Sequence, residues 1–400
     1  ILRKALMLFQ TLDDKKECIG VFTEGELHFD NIPENLTHTW AYSPSFGNEG
    51  IEFAQIYCEG KSLSEVCPEH LTADLERVSS KMKAFIKSFS AAKISLNEHC
   101  FYDLVPTRFL LEFYNVKNQI CQWVFQNYEK PANHSFLAKA MKMTSEISHQ
   151  PFEVDKSALN KHIAEERVRH LRQKLGNGPQ SVNYNVFGTV TGRLTTSKSS
   201  FPILTLDKKF RKVIKPKNDW LVEIDFNAAE LRTLLGLSGT PQPQEDLHQW
   251  NVENIYNNEI DRDEAKKEIF SWLYNPNSLD KTAELYYSRD KLVKKHFDGE
   301  RVRTPFGRTI PAEERVALNY LIQSTSSDIF LNSAIKVWEK LQQTKSEIRF
   351  LVHDSVLIDL SEEDKAILPE LIETFSKTPL GDYKVGVNIG RDYGQMRKMK

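Results

Sequence analysis

The sequence predicts an α/β fold centred on an antiparallel sheet with helices packed around it. Three observations carry that expectation. Two apolar, strand-like runs, Trp220 to Phe226 and Ile348 to Leu360, each present an aspartate, Asp225 and Asp354. Between them Arg262, Lys266, Phe270 and Tyr274 recur every four residues, a spacing that advances about 40° per step and so marks one broad side of a helix. At 400 residues the chain is long enough for a sizeable core and for two or three units.

The elements follow in order. Residues 17 to 60 alternate as strands do, in Cys18-Ile-Gly-Val-Phe and Ile51-Glu-Phe-Ala-Gln-Ile-Tyr, with turn residues between. From Leu71 the pattern becomes helical, Leu75, Val78, Met82 and Phe85 falling three and four apart, and a second apolar helix covers Phe109 to Phe125. Pro131 and Asn133 break the chain. Leu159 to Leu175 reads as a charged amphipathic helix ending at Gly176-Asn-Gly-Pro179, a junction into the second region. There, Trp220 to Phe226 is a strand and Ala228 to Leu237 the following helix, stopped by Gly239 and Pro241. Ile348 to Leu360 is a hairpin with His353 and Asp354 at its tip, and a shared sheet would bring the two aspartates together.

Composition narrows the class further. The formal net charge is −2, residues 1–150 carrying 15 Lys/Arg against 19 Asp/Glu and residues 151–400 carrying 38 against 36, so overall charge does not point to a nucleic-acid partner. Local runs do: Lys208 to Lys217, and Arg289 to Lys295 continuing to Arg301, Arg303 and Arg308, would track phosphates from a cleft wall. No apolar run of eighteen residues and no signal peptide is present, which predicts a soluble, cytoplasmic protein with no membrane partner. The chain opens on Ile1 and not on Met, which leaves open whether residues lie upstream. Cys18, Cys58, Cys67, Cys100 and Cys121 are odd in number and scattered, which predicts reduced thiols.

The chemistry lies in the strand ends and the helix face. Carboxylates on two strand ends suit two Mg²⁺ ions, which clamp the attacking and leaving oxygens of an in-line phosphoryl displacement, and a cationic helix face suits a triphosphate. Each aspartate would otherwise only cap a turn, and Glu230 would only favour a helix N-terminus.

Five segments also resemble one family in its own order. Thr191-Gly-Arg193-Leu-Thr-Thr-Ser197, Asp225-Phe-Asn-Ala-Ala-Glu230-Leu-Arg, the Arg262 to Tyr274 series, Glu314-Arg315-Val-Ala-Leu-Asn319-Tyr-Leu-Ile-Gln323 and His353-Asp354 resemble motifs of family A DNA polymerases, the bacterial polymerase I group with its phage and organellar relatives. The resemblance implies a right-hand fold, with an antiparallel palm sheet, helical fingers and a reduced thumb. It also implies primer extension on a DNA template with dNTPs and Mg²⁺.

By the same resemblance Asp225 and Asp354 are metal ligands, Arg262 and Lys266 hold the triphosphate, and Lys266 serves as a proton donor to pyrophosphate. Glu230 is the gate against a ribose 2′-hydroxyl. Phe270 packs on the sugar, Tyr274 lies beside the templating pair and His248 touches a phosphate. Arg193, Arg315, Asn319 and Gln323 meet primer, template and minor groove, where acceptors common to every base pair permit a shape check without reading sequence. His353 positions the hairpin tip.

The departures have consequences of their own. Ser355 stands where the family carries a third carboxylate, a His-Asp-Ser similar to single-subunit RNA polymerases, which leaves RNA synthesis open; Glu230 favours DNA. Ser271 and Asn275 replace glycines. About 36 residues separate Asp155 from Thr191, too few for a full thumb hairpin, which implies low processivity or a partner protein and a compact, phage-type member, then acting in a host cytoplasm. The expected division is residues 1–130 as a degenerate 3′–5′ exonuclease-like or structural domain without proofreading, 131–180 as a short helical thumb or linker, and 181–400 as palm and fingers. Lys93 to Leu104, including Asn97 and Asp103, carries a faint exonuclease-like signal without an opening Asp-x-Glu. A catalytically silent DNA-binding subunit is the remaining alternative.

Overall fold

The computed structural model describes residues 7–15, 18–29, 31–47, 50–96, 98–176, 178–275 and 277–399. Ile1, Asn97 and Asn177, which figure in the reading above, lie outside the described residues. Contacts divide the chain after Ser145 into two compact units, where the sequence suggested boundaries at 130 and 180.

The first unit is built on β1 (Phe9–Lys15), β2 (Cys18–Thr23) and β3 (Glu26–His28), an antiparallel ladder in that order. A parallel bridge between Leu8 and His38 sets β4 (His38–Thr39) beside β1, and β4 pairs in parallel with β5 (Glu52–Phe53). Two helices, α1 (Thr72–Ala91) and α2 (Thr107–Asn127), supply the apolar cover. Leu75 and Val78 of α1 and Leu110, Ile120 and Val124 of α2 share a core with Phe22 of β2. The Tyr114 hydroxyl donates to the Leu12 carbonyl at 3.0 Å, fixing α2 on the sheet.

Two expectations fail here. The strand-like alternation from Ile51 does not continue: after Phe53 the chain turns into a helical segment, Ala54–Tyr57. Pairing between β4 and β5 lasts only two residues, and backbone without a ladder partner closes its own hydrogen bonds, as the Cys58 N–H does to the Ala54 carbonyl. The cysteines are not all reduced. Cys18 and Cys100, 82 residues apart in sequence, are joined in a disulfide, while Cys58, Cys67 and Cys121 are free. Spacing in sequence carries no information on such a pair, because the fold sets Cys18 at the start of β2 beside the turn that carries Cys100.

The second unit centres on a five-stranded antiparallel sheet. Its strands are β6 (Trp220–Phe226), β7 (Glu347–Val352), β8 (Ser355–Leu360), β9 (Val385–Gly390) and β10 (Arg397–Lys398), in the order β7-β8-β6-β9-β10. Alternation on β6 separates two faces. Phe226 stacks on Phe375 at 4.4 Å on one face, and Phe330 meets Phe375 in turn. Leu221 on the other joins a core with Phe350, Leu357, Phe152 and Phe201. Glu223 and Asp225 continue that second face, and Asp225 is exposed.

Upstream of the sheet, α3 (His134–Ser148) and α4 (Glu166–Leu175) flank a 3₁₀ segment, Lys156–His162. The predicted helix from Leu159 is therefore interrupted: Glu165 is extended and anchors a new N-terminus, with its carboxylate held by His162 and Lys209. Gly176 at φ 51° ends α4.

Around β6 lie α5 (Ala229–Ser238), α6 (Leu247–Asn254), α7 (Arg262–Tyr274), α8 (Lys281–Tyr287), α9 (Arg289–His296) and the long α10 (Glu314–Leu341). Their shared core includes Leu231, Leu234, Ile269, Trp272, Tyr287 and Leu321, each worth roughly 1.5–3 kcal/mol of burial. The helix α11 (Leu368–Ser376) completes the layer behind the sheet. No helix among the described residues is long and apolar enough to cross a membrane.

Candidate active site

The sheet register brings the two predicted aspartates together. Asp225 pairs with Ser355, the first residue of β8, and the Phe226 N–H donates to the Asp354 carbonyl at 3.3 Å. His353 precedes Asp354 in the left-handed region, at φ 55°, which closes the hairpin in two residues. Ser355 turns its hydroxyl to the Val352 carbonyl and offers the site no carboxylate. Glu223, two residues before Asp225 and on the same face, supplies negative charge instead, with its oxygens accepting from Tyr393 and Asn388.

The electrostatics suit a cation. Burial, then the charges of Glu223 and Asp354, push the Asp225 carboxyl up to about 7. Asp354 is raised too, first by burial and then by Glu230, against the opposing pull of Arg193 and His353. Two carboxylates kept close are hard oxygen donors of the kind a divalent ion takes, although among the described residues no group of three or more His, Cys, Asp or Glu is arranged to hold a metal ion.

Glu230 opens α5 one turn beyond Asp225 and accepts from both Arg193 and the Tyr274 hydroxyl. Arg193 reaches it because Gly192, at φ 75°, lets the preceding loop lie against Arg308: a Cβ there would come within 2.6 Å of the guanidinium carbon. Arg308 is itself locked to the buried Asp328 by two hydrogen bonds from Nε of 2.9 and 2.8 Å, and Ser327 donates to the Gly192 carbonyl. Burial outweighs that guanidinium and leaves the Asp328 carboxyl raised.

The predicted helix face forms over α7 as spaced. Phe270 and Tyr274 stack at 5.9 Å, and the His248 ring lies 6.0 Å from Phe270. Burial, then the charge of Lys266, pushes His248 down to about 4, so its ring is neutral near pH 7 and its Nδ1 has no protein partner. Arg262 pairs with Asp246 through Nε and Nη2, at 3.2 and 2.9 Å. Gln323 hydrogen-bonds Tyr274 from α10. Asn319 and Arg315 line a cavity of about 350 Å³ with Tyr274, Leu318 and Val293, and the buried Asn319 Oδ1 is unpartnered.

Two members of the predicted basic runs lie elsewhere. Arg289 is buried and donates to the carbonyls of Trp272, Asn275 and Ser278, so it ties helices together and does not meet phosphate. Arg308 is spent on Asp328. Residues that the sequence reading passed over are Asn227, Arg232, Asp246, Glu223 and Asp328. Asn227 and Arg232 sit inside the Asp225 segment and Asp246 beside His248, but nothing in their spacing distinguishes them from solvated polar residues.

An antiparallel sheet with two aspartates at adjoining strand ends, faced by a helix presenting Arg, Lys, Phe and Tyr, defines the right-hand nucleotide polymerase fold. The comparisons narrow the class. The chain is 26% identical over 272 residues to a thermostable DNA polymerase I of Thermus filiformis, covering 54% of this chain and 32% of that one. It is 27% identical over 239 residues to DNA polymerase I of Caldicellulosiruptor bescii, covering 46% and 28%. The POL domain of Pol1 from M. smegmatis, solved in complex with DNA primer-template and dNTP, superposes with a TM-score of 0.69 at 12% identity over 98% of this chain and 96% of that one. No family model matches. In sequence over about half of its length, and in fold over nearly all of it, the chain is similar to DNA polymerase I proteins. The matched segment amounts to about a third of the length of these curated relatives.

Proposed function

We propose that this chain is a DNA-templated DNA polymerase that extends a primer 3′ end with dNTPs. The observation that carries the reading is the pairing of Asp225 with the Asp354 hairpin opposite the Arg262 to Tyr274 face. When bound, two Mg²⁺ ions would lower the pKa of the primer hydroxyl and neutralise charge on the departing pyrophosphate.

The chain's own groups do the rest. Asp225 and Asp354 would hold the ions at the strand ends. Arg262 and Lys266 bind the triphosphate, with Lys266 placed one helical turn on to give a proton to pyrophosphate. Neutral His248 offers its ring beside them. Glu230, fixed by Arg193 and Tyr274, fills the space of a 2′-hydroxyl, while Phe270 packs on the sugar. Arg315, Asn319, Gln323 and His353 approach the duplex.

The same reading assigns residues 131–180 to a short helical thumb or linker and residues 1–130 to a degenerate, non-proofreading exonuclease-like or structural domain. Asp13 and Asp14 of β1 support this, because each carboxylate already accepts a backbone N–H, from Phe101 and Ser45 respectively. A weak grip on duplex then gives low processivity or dependence on a partner protein for long products, in a cytoplasmic setting.

Extension of a labelled primer–template with dNTPs, beside NTPs and the Asp354→Ala variant, is the test. Templated dNTP extension that falls by roughly 10³-fold in the variant supports the reading. Preferential NTP use, or unchanged activity in the variant, overturns it.

A further inference from the structure

Arg262, the residue assigned to the triphosphate, is not free in this fold. Its Nε and Nη2 meet the two oxygens of Asp246 in a side-on fork. Asp246 in turn caps α6, its Oδ1 accepting from the N–H groups of His248 and Gln249 at 3.0 Å each. Its Oδ2 accepts from the Asn227 side chain at 2.9 Å.

Asn227 lies two residues past Asp225. Its own oxygen accepts from the Leu247 N–H and from Arg232, and its backbone N–H donates to the Lys384 carbonyl. The fully buried Arg232 then fastens the intervening loop by donating to the carbonyls of Asn227, Pro243 and Glu245. A continuous set of hydrogen bonds therefore runs from the end of the strand bearing Asp225, through Asn227 and Asp246, to the first residue of α7.

We propose that Asp246 is a positioning residue that aims Arg262 at the nucleotide polyphosphate; this rests on the polymerase reading above. A guanidinium carries five N–H groups on two usable edges. Asp246 occupies the Nε/Nη2 edge, and on the other edge Nη1 meets only the exposed Asp263 carboxylate, at 3.7 Å, beyond hydrogen-bond distance, so the Nη1/Nη2 edge can still take two oxygens of a phosphate. A carboxylate behind a phosphate-binding arginine fixes a long side chain that would otherwise lose rotamer freedom on each binding event. Burial pushes the Asp246 carboxyl up, but the bonds from Arg262 and the Gln249 N–H prevail and hold it well below the usual range, so the pair stays charged at any working pH.

The opposite assignment, in which Asp246 sequesters Arg262 and competes with phosphate, makes the opposite prediction. Calorimetric titration with inorganic triphosphate distinguishes the two without requiring catalysis. In the Asp246→Asn variant one oxygen remains for the helix cap while the carboxylate is lost. Binding weakened about tenfold, an unchanged melting midpoint, and a double variant with Arg262→Ala no weaker than Arg262→Ala alone support the proposal. Unchanged or tighter binding overturns it, as does failure of the wild-type chain to bind triphosphate. If Asp246→Asn lowers the melting midpoint, Asp246→Ser, which keeps a capping oxygen, carries the same comparison.

With dNTPs and primer–template, the proposal expects KM to rise about tenfold while kcat falls by less than about threefold. A wild-type chain that binds triphosphate as described but extends no primer refutes the polymerase reading and leaves the placement of Arg262 standing.

Discussion

At the scale of single residues, the site is governed by carboxylates kept close at an electrostatic cost. Burial of the strand end and then the charges of Glu223 and Asp354 push the Asp225 carboxyl up to about 7, although its side chain keeps solvent access on the open side of the sheet. A divalent ion must displace that proton at lower pH, so apparent affinity should weaken by up to about tenfold per pH unit below 7 and level off above it. Mn²⁺ titrations at pH 6 and pH 8 check the sign; equal affinities would contradict it. Glu230 makes the second residue-scale prediction. Its carboxylate sits between Arg193 and Tyr274, so Glu230→Ala should open the space of a 2′-hydroxyl and raise the ratio of ribonucleotide to deoxynucleotide incorporation. Single-nucleotide incorporation assays measure that ratio directly.

At the scale of elements, the strands and helices of the second unit follow their sequence patterns closely. β6 and α7 occupy the residues that alternation and the four-residue repeat mark, and the hairpin tip falls on His353 and Asp354. Elements fail to match where pairing partners are too short, as after Phe53, or where a side chain intervenes, as at Glu165. The loop carrying Arg193 depends on a close approach that no propensity encodes. Gly192→Ala would drive a methyl into Arg308 at a left-handed φ, and we expect it to cost about 1–3 kcal/mol in chemical denaturation and to loosen the Arg193 contact with Glu230. Denaturation matching the wild type would show that the loop yields freely.

For the whole molecule, two units share one chain with different means of stabilisation. The second is held by its sheet and two apolar cores. The first adds a covalent tie, Cys18 to Cys100, across a span of 82 residues. Restricting so long a loop in the unfolded chain contributes about 4 kcal/mol on the chain-entropy account. Reduction, or Cys18→Ser with Cys100→Ser, should therefore lower the unfolding midpoint of the first unit and leave the second unchanged, as proteolysis followed by mass spectrometry of each unit would show. Equal loss in both would contradict this division of stability.

The sequence by itself determined the α/β class, the strand ends with Asp225 and Asp354, the helix face from Arg262 to Tyr274 and the resemblance to the polymerase I group. These are local patterns, and periodicity and motif order survive without knowledge of what touches what. Only the tertiary structure decided that Cys18 meets Cys100, that Arg289 is buried against backbone carbonyls and Arg308 is committed to Asp328, and that Asp246 stands behind Arg262. Each depends on residues distant in sequence being folded to within a few ångströms, and a polar side chain looks the same in sequence whether it is solvated or committed to a neighbour.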